Sequence, residues 1–111
     1  MLIILPLDCL ASNGAIALSK GAVYTLTHAI ARALGPSGIN VNAIAPGYTT
    51  TEASLTQQGS EQTFKLAVSE QSIPRREEPV DLVGAAVFLA SSASDFITGQ
   101  VIYVDGGTVM L

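Results

Sequence analysis

The stretch Ile39-Asn40-Val41-Asn42-Ala43-Ile44-Ala45-Pro46-Gly47 decides the fold. Ile39, Val41 and Ala43 alternate with Asn40, Asn42 and Ile44, which predicts a strand over Ile39 to Ala45, and Pro46-Gly47 breaks the run. Asn40 and Asn42 are expected to satisfy backbone groups at the strand end, because an amide taken out of water needs partners. Upstream, Val23, Leu26, Ile30 and Ala33 recur at helical spacing, and Ala22 and Ala29 supply small packing positions. Together they predict a long helix from about Gly14 to Leu34. Gly35 and Pro36 end it, since Gly accepts the left-handed cap conformation and Pro cannot extend the ladder. Before the helix, Leu2 to Leu5 is a short apolar run closed by Pro6, which suits a strand buried on both faces.

Downstream, residues 48 to 78 form a polar excursion with a short helix over Glu61 to Glu70, whose Phe64, Ala67 and Val68 share a face. Pro79 fits the first turn of the next helix. Val80, Val83, Val87 and Ala90 together with Leu82, Ala86 and Leu89 make that helix apolar nearly all round, so it is expected to be buried. Thr98-Gly99 then turns the chain into the strand Val101-Ile102-Tyr103-Val104, and Asp105-Gly106-Gly107 is a turn beyond it. Strands alternating with helices give an α/β chain with a parallel sheet of three strands and flanking helices.

Of 111 residues, 49% are hydrophobic and 13% charged, against about 25% charged in ordinary soluble domains. Five basic and nine acidic side chains must dress roughly 5,800 Å² of surface for a chain of this size. Residues 1 to 51 hold only Asp8, Lys20 and Arg32, so the first half reads as mostly buried. A net charge of -4 and a pI near 4.6, with no cluster of Lys or Arg, argue against nucleic acid and against an anionic membrane surface. No apolar run reaches the eighteen or so residues of a membrane span. Cys9 is the single cysteine, which excludes an internal disulfide and suits the cytoplasm. His28, the only histidine, has no Cys, Asp or Glu at ligand spacing, so no metal site is expected. Arg75-Arg76-Glu77-Glu78 reads as a solvated charge cluster before a helix.

Ser19-Lys20-Gly21-Ala22-Val23, the stretch from Ile39 to Gly47, Phe88-Leu89-Ala90-Ser91, Ile97-Thr98-Gly99-Gln100 and Val104-Asp105-Gly106-Gly107 occur in the order that resembles the C-terminal half of short-chain dehydrogenases/reductases. The likeness runs from about Ser19 to Gly107. Thr51-Glu52-Ala53-Ser54 with Ile73-Pro74-Arg75 is most similar to members acting on aromatic secondary alcohols and ketones. The resemblance implies the C-terminal half of a Rossmann-type doubly wound sheet, with residues 48–78 as substrate loop or lid. It also implies hydride transfer between a nicotinamide, NAD or NADP, and a small-molecule alcohol or ketone. No Gly-rich phosphate turn follows the first strand, and the chain is expected to be a truncated enzyme.

In that family a Tyr lies four residues before the Lys and handles the proton, while the Lys lowers its pKa and binds the nicotinamide ribose. Lys20 matches the Lys, but Ile16 stands at the Tyr position and has no ionisable group. The carbonyl-orienting Ser falls on Ile3, again without a hydroxyl. Tyr24 shares the helix face of Lys20 but is displaced by one turn, about 5.4 Å, and hydride geometry does not tolerate such a shift. Ser12, better placed as a helix cap, and Ser19 could replace the lost Ser only by a rearranged loop. The resemblance further implies that the loop after Pro46-Gly47 lies against the nicotinamide and that Thr51 bonds its carboxamide or phosphate. Thr49 occupies a slot usually filled by Ile or Val. A turn followed by a polar helix start is the plainer account of the same residues.

Two functional expectations follow: a nicotinamide-dependent oxidoreductase fragment unable to catalyse alone, or a non-enzymatic oligomerisation module. In the module, the helix from Gly14 to Leu34 and the last helix and strand would pair with a like subunit. The sparse charge favours self-association in either case, as a homo-oligomer or as aggregate.

Overall fold

The structure, a computed structural model, describes residues 2–4 by their backbone and residues 14–110 in full. Its elements are β1 (Leu2–Ile4), α1 (Gly14–Leu34), β2 (Asn42–Pro46), α2 (Glu52–Thr56), α3 (Ser60–Glu70), α4 (Pro79–Ala90) and β3 (Val101–Val104). The three strands form one parallel sheet in the order β1-β2-β3, with Ile3 opposite Ala43 and Ala43 opposite Val101. The α/β architecture read from the sequence is therefore present. Ser12 and Cys9 lie outside the described residues, as does the side chain of Ile3.

All five residues of β2 are buried. Successive strand side chains point to opposite faces, so this strand is covered from both, and α1 and α4 are the helices packed against it. The alternation seen in the sequence does not separate a wet face from a dry one. The strand also begins at Asn42 rather than Ile39, because the residues before it are held by side chains instead of a ladder. Val41 N–H donates to Thr98 Oγ1 at 3.0 Å and Asn40 Nδ2 to the Asp95 carbonyl at 2.9 Å. Asn42, 2% exposed, donates to the Ile97 carbonyl at 2.8 Å and accepts from Gln100 N–H at 3.0 Å. These bonds fix the register of β2 against β3 at the amino end of the sheet, as expected of the two asparagines. The left-handed cap after α1 falls on Gly38, with φ of 75°. Gly35 to Ser37 continue instead as a 3₁₀ turn.

Two burial expectations are overturned. In α1 only Thr27 and Ala31 are buried, although the first half of the sequence is charge-poor. In α4 no residue is fully buried: Leu82, Ala85, Ala86 and Leu89 are half-buried, while Val80, Val83 and Val87 are 71%, 52% and 62% exposed. Low charge marks a surface suited to being covered. It does not say that the same chain covers it. The accessible surface of 6899 Å² exceeds the roughly 5,800 Å² expected of a compact chain of this mass.

The excursion 48–78 is built around Phe64, which is 1% exposed. Its ring meets Tyr48 at 4.7 Å between centroids, and the Arg76 guanidinium lies 4.4 Å over it, itself paired to Glu61 at 2.6 Å. Removing that ring leaves both partners without their contact. Phe64→Ala is expected to cost about 3–5 kcal/mol, read as a fall in the urea midpoint, whereas an unchanged midpoint would mean that Phe64 does not organise the segment.

Candidate functional site

In a parallel sheet, ligands gather beyond the carboxyl ends of the strands. That edge is formed here by Pro46-Gly47 after β2 and Asp105 after β3. Because β1 and β2 are parallel, α1 must run back across the sheet and start at the same edge. Lys20, in the first half of α1, therefore lies towards this edge. His28 lies towards the opposite one, beside Gly99. Lys20 is half-exposed, and its side chain has no hydrogen bond or ion pair among the described residues. Ile16, one turn before it, is 40% exposed. Tyr24, one turn after it, is 41% exposed and stacks edge-on against His28 at 4.7 Å. Ser19 donates to the Ile16 carbonyl at 2.7 Å, a bond within the helix. No group of three or more His, Cys, Asp or Glu among the described residues could hold a metal ion, and no described helix is long and apolar enough to cross a membrane.

The turn after β2 is the tightest part of the edge. Gly47 N–H is shared between the Val104 carbonyl at 3.0 Å and Glu77 Oε2 at 2.8 Å. A Cβ on Gly47 would lie 2.7 Å from Glu77 Oε2 and 3.1 Å from Asp105 Cα, so close approach, not unusual backbone geometry, demands glycine here. Thr49 Oγ1 donates to Glu77 Oε1 at 3.3 Å, and Thr50 N–H donates to the Glu77 carbonyl at 2.7 Å. Thr51 caps α2: its Oγ1 accepts from Ser54 N–H at 3.1 Å and its N–H donates to Ser54 Oγ at 2.8 Å. The helix-start account of Thr51 is thus what the geometry displays. Thr50 Oγ1 is buried without a partner.

The charge run 75–78 is solvated only in part: Arg75 and Glu78 are exposed as expected, whereas Arg76 is half-buried and Glu77 is buried. Arg75 forms a bidentate pair with Asp81, at 2.7 Å and 2.6 Å. Arg76 covers Phe64. Glu77, 5% exposed, is turned into the Pro46-Gly47 turn. Glu78 N–H donates to Asp81 Oδ2 at 2.8 Å at the start of α4, with Pro79 in the first turn as expected. Asp105, 7% exposed, accepts from Gly107 N–H at 2.9 Å and Val109 N–H at 2.9 Å, which fixes the turn predicted there. Sequence reasoning missed Glu77 and Asp105 as members of the edge. Thirty residues separate Glu77 from Gly47, and a buried carboxylate inside a charge run carries no local signal.

Two outcomes test this geometry. Gly47→Ala is expected to destabilise by about 1–3 kcal/mol, the usual cost of overpacking, measured by denaturant titration; a neutral change would mean that Glu77 does not sit against the turn. The bonds from Arg75 and Glu78 hold the Asp81 carboxyl down at about 2. Its stabilising contribution is therefore present above the usual carboxylate range and is lost as pH falls towards 2. Asp81→Asn should flatten the acid limb of thermal stability below pH 4, most visibly at low salt because the pair is at the surface.

Comparison with known proteins places this edge in context. The profile of the enoyl-(acyl carrier protein) reductase family matches residues 7–109. Galactitol 2-dehydrogenase (L-tagatose-forming) of Cereibacter sphaeroides is 42% identical over 80% of this chain and 35% of its own length. 5-Keto-D-gluconate 5-reductase of Escherichia coli K12 is 42% identical over 85% of this chain and 37% of its own. A 4-hydroxyisoleucine dehydrogenase complexed with NADH and succinate superposes with a TM-score of 0.82 at 32% identity, over 97% of this chain and 45% of that one. A short-chain dehydrogenase from Leptospira borgpetersenii with bound NAD⁺ gives 0.84 at 27% identity, over 98% and 44%. The chain thus spans little more than a third of the curated relatives it matches. Those two relatives are named for a polyol and a keto-sugar acid, so the expectation of an aromatic secondary alcohol is not supported. With the family profile covering nearly all of its length and the Rossmann-type strands and helices in place, the chain belongs to the short-chain dehydrogenase/reductase family.

Proposed function

We propose that the chain carries the lid-bearing carboxyl edge of a nicotinamide-dependent oxidoreductase of polyols or keto-sugar acids, and that it does not catalyse hydride transfer itself. The single observation behind the second half is Ile16, one helical turn from the unpartnered Lys20. A general acid–base group contributes about 10²–10⁴ in rate, and no phenol, imidazole or carboxyl stands at that position. The polyol or sugar-acid class comes from the relatives' names, and the choice of a nicotinamide from the NADH and NAD⁺ held by the two similar solved structures.

The residues present could meet one end of such a cofactor, too little to bind it alone, and would not supply its proton chemistry. Lys20 has an ammonium free to meet a ribose hydroxyl, and the backbone after Pro46-Gly47 lies at the strand ends. The Thr49 and Thr51 hydroxyls are engaged within the chain, so contact there would run through backbone groups. A bound nicotinamide would accept or supply the hydride. The proton that must accompany it has no carrier beside Lys20 among the described residues: Tyr24 lies a turn away with its ring against His28. Residues 48–78, folded on Phe64, would exclude water above the edge.

The second reading, a self-associating module, is favoured by the exposed Val80, Val83 and Val87 of α4, which would be covered by a like surface. Two measurements test these proposals. Steady-state assays with galactitol or gluconate and NAD⁺ or NADP⁺ are expected to show no turnover, and titration with NADH or NADPH no saturable fluorescence change; sustained turnover would overturn the non-catalytic reading. Mass determination across concentration separates the two readings, since a discrete dimer or tetramer supports the module and a polydisperse aggregate counts against it.

A further inference from the structure

We propose that Glu77 is the positioning residue of the Pro46-Gly47 turn: its carboxylate holds the Gly47 amide and the Thr49 hydroxyl in place, and protonating it loosens that hold. The proposal deepens the reading above by naming what holds the edge said to face the cofactor, and rests on that reading only for what the turn would meet.

Gly47 N–H has two acceptors, and they belong to different parts of the chain: Val104 on β3 and Glu77 at the return of the 48–78 segment. The backbone of Glu77 adds a third tie through its parallel bridge to Thr49. Only the carboxylate contact depends on charge, and a charge-assisted hydrogen bond is about twice as strong as a neutral one. A buried carboxylate normally has a cation beside it. The charged groups facing Glu77 are instead Asp81 on α4 and Asp105 after β3. Arg75 is near enough to feel its field, but its guanidinium is taken up by Asp81 in a bidentate pair. The turn itself offers Glu77 an amide and a hydroxyl and no cation. Burial pushes the Glu77 carboxyl above the usual range, while the Gly47 and Thr49 bonds pull against that rise. Protonation weakens the acceptor, and the Gly47 amide then falls back on Val104 alone.

The test is a pH titration of the ¹⁵N-labelled full chain followed by NMR at the Gly47 amide. The Gly47 proton should move downfield as pH rises, with a midpoint above the ordinary glutamate value, and the movement should vanish in Glu77→Gln, which keeps the shape of the side chain. Thr49→Val keeps Glu77 but removes one donor to it, and should move the midpoint to higher pH. A Gly47 resonance that is flat with pH, that still titrates in Glu77→Gln, or that is unmoved by Thr49→Val would overturn the assignment. The titration needs no nucleotide, so a failure to bind NADH bears on the proposed function and leaves this assignment standing.

Discussion

A single amide, Gly47 N–H, is where the sheet and the excursion meet. It is shared by the last residue of β3 and by a buried glutamate thirty positions later in the chain, and a side chain placed on residue 47 would collide with that glutamate and crowd Asp105. The rest of the edge follows from this crowding. Pro46 can end β2 there because it has no N–H to contribute to a ladder. Glu77 must be desolvated to reach the amide, and Thr49 and Thr50 are drawn into register with it. At the opposite end of the same strand Asn42 does the corresponding task, so β2 is clamped to its neighbours at both ends.

Much of this architecture is legible in the residues. The apolar run of β3, the punctuation by Pro46-Gly47 and Asp105-Gly106-Gly107, Pro79 at the start of α4 and the helical spacing of α1 are local signals, and local rules read them. The two asparagines are legible for a similar reason, since a polar side chain in an apolar strand has to find partners. What is not legible depends on distant contacts. Glu77 is indistinguishable in sequence from its neighbours in the charge run, yet only Glu77 is turned inward. Arg76 looks like a solvated cation and lies over Phe64.

Burial shows the limit of composition more sharply. An apolar helix such as α4 has an interface written into it, but sequence does not say against what. Here Leu82, Ala86 and Leu89 face the sheet while Val80, Val83 and Val87 face outward. The same logic applies to the first turns of α1. Lys20 stands where the resemblance places the family's lysine, whereas Ile16 stands at its tyrosine position and the Tyr24 ring lies against His28.

The central claim, that the Pro46-Gly47 turn at the carboxyl edge is held as firmly as the buried strand before it, is tested most directly by native-state hydrogen exchange resolved by residue. The account predicts that Gly47 exchanges as slowly as Ala43 to Ala45 in the buried strand, while the exposed start of α1 from Gly14 to Ser19 exchanges far faster. Gly47 exchanging as quickly as that helix start would contradict it.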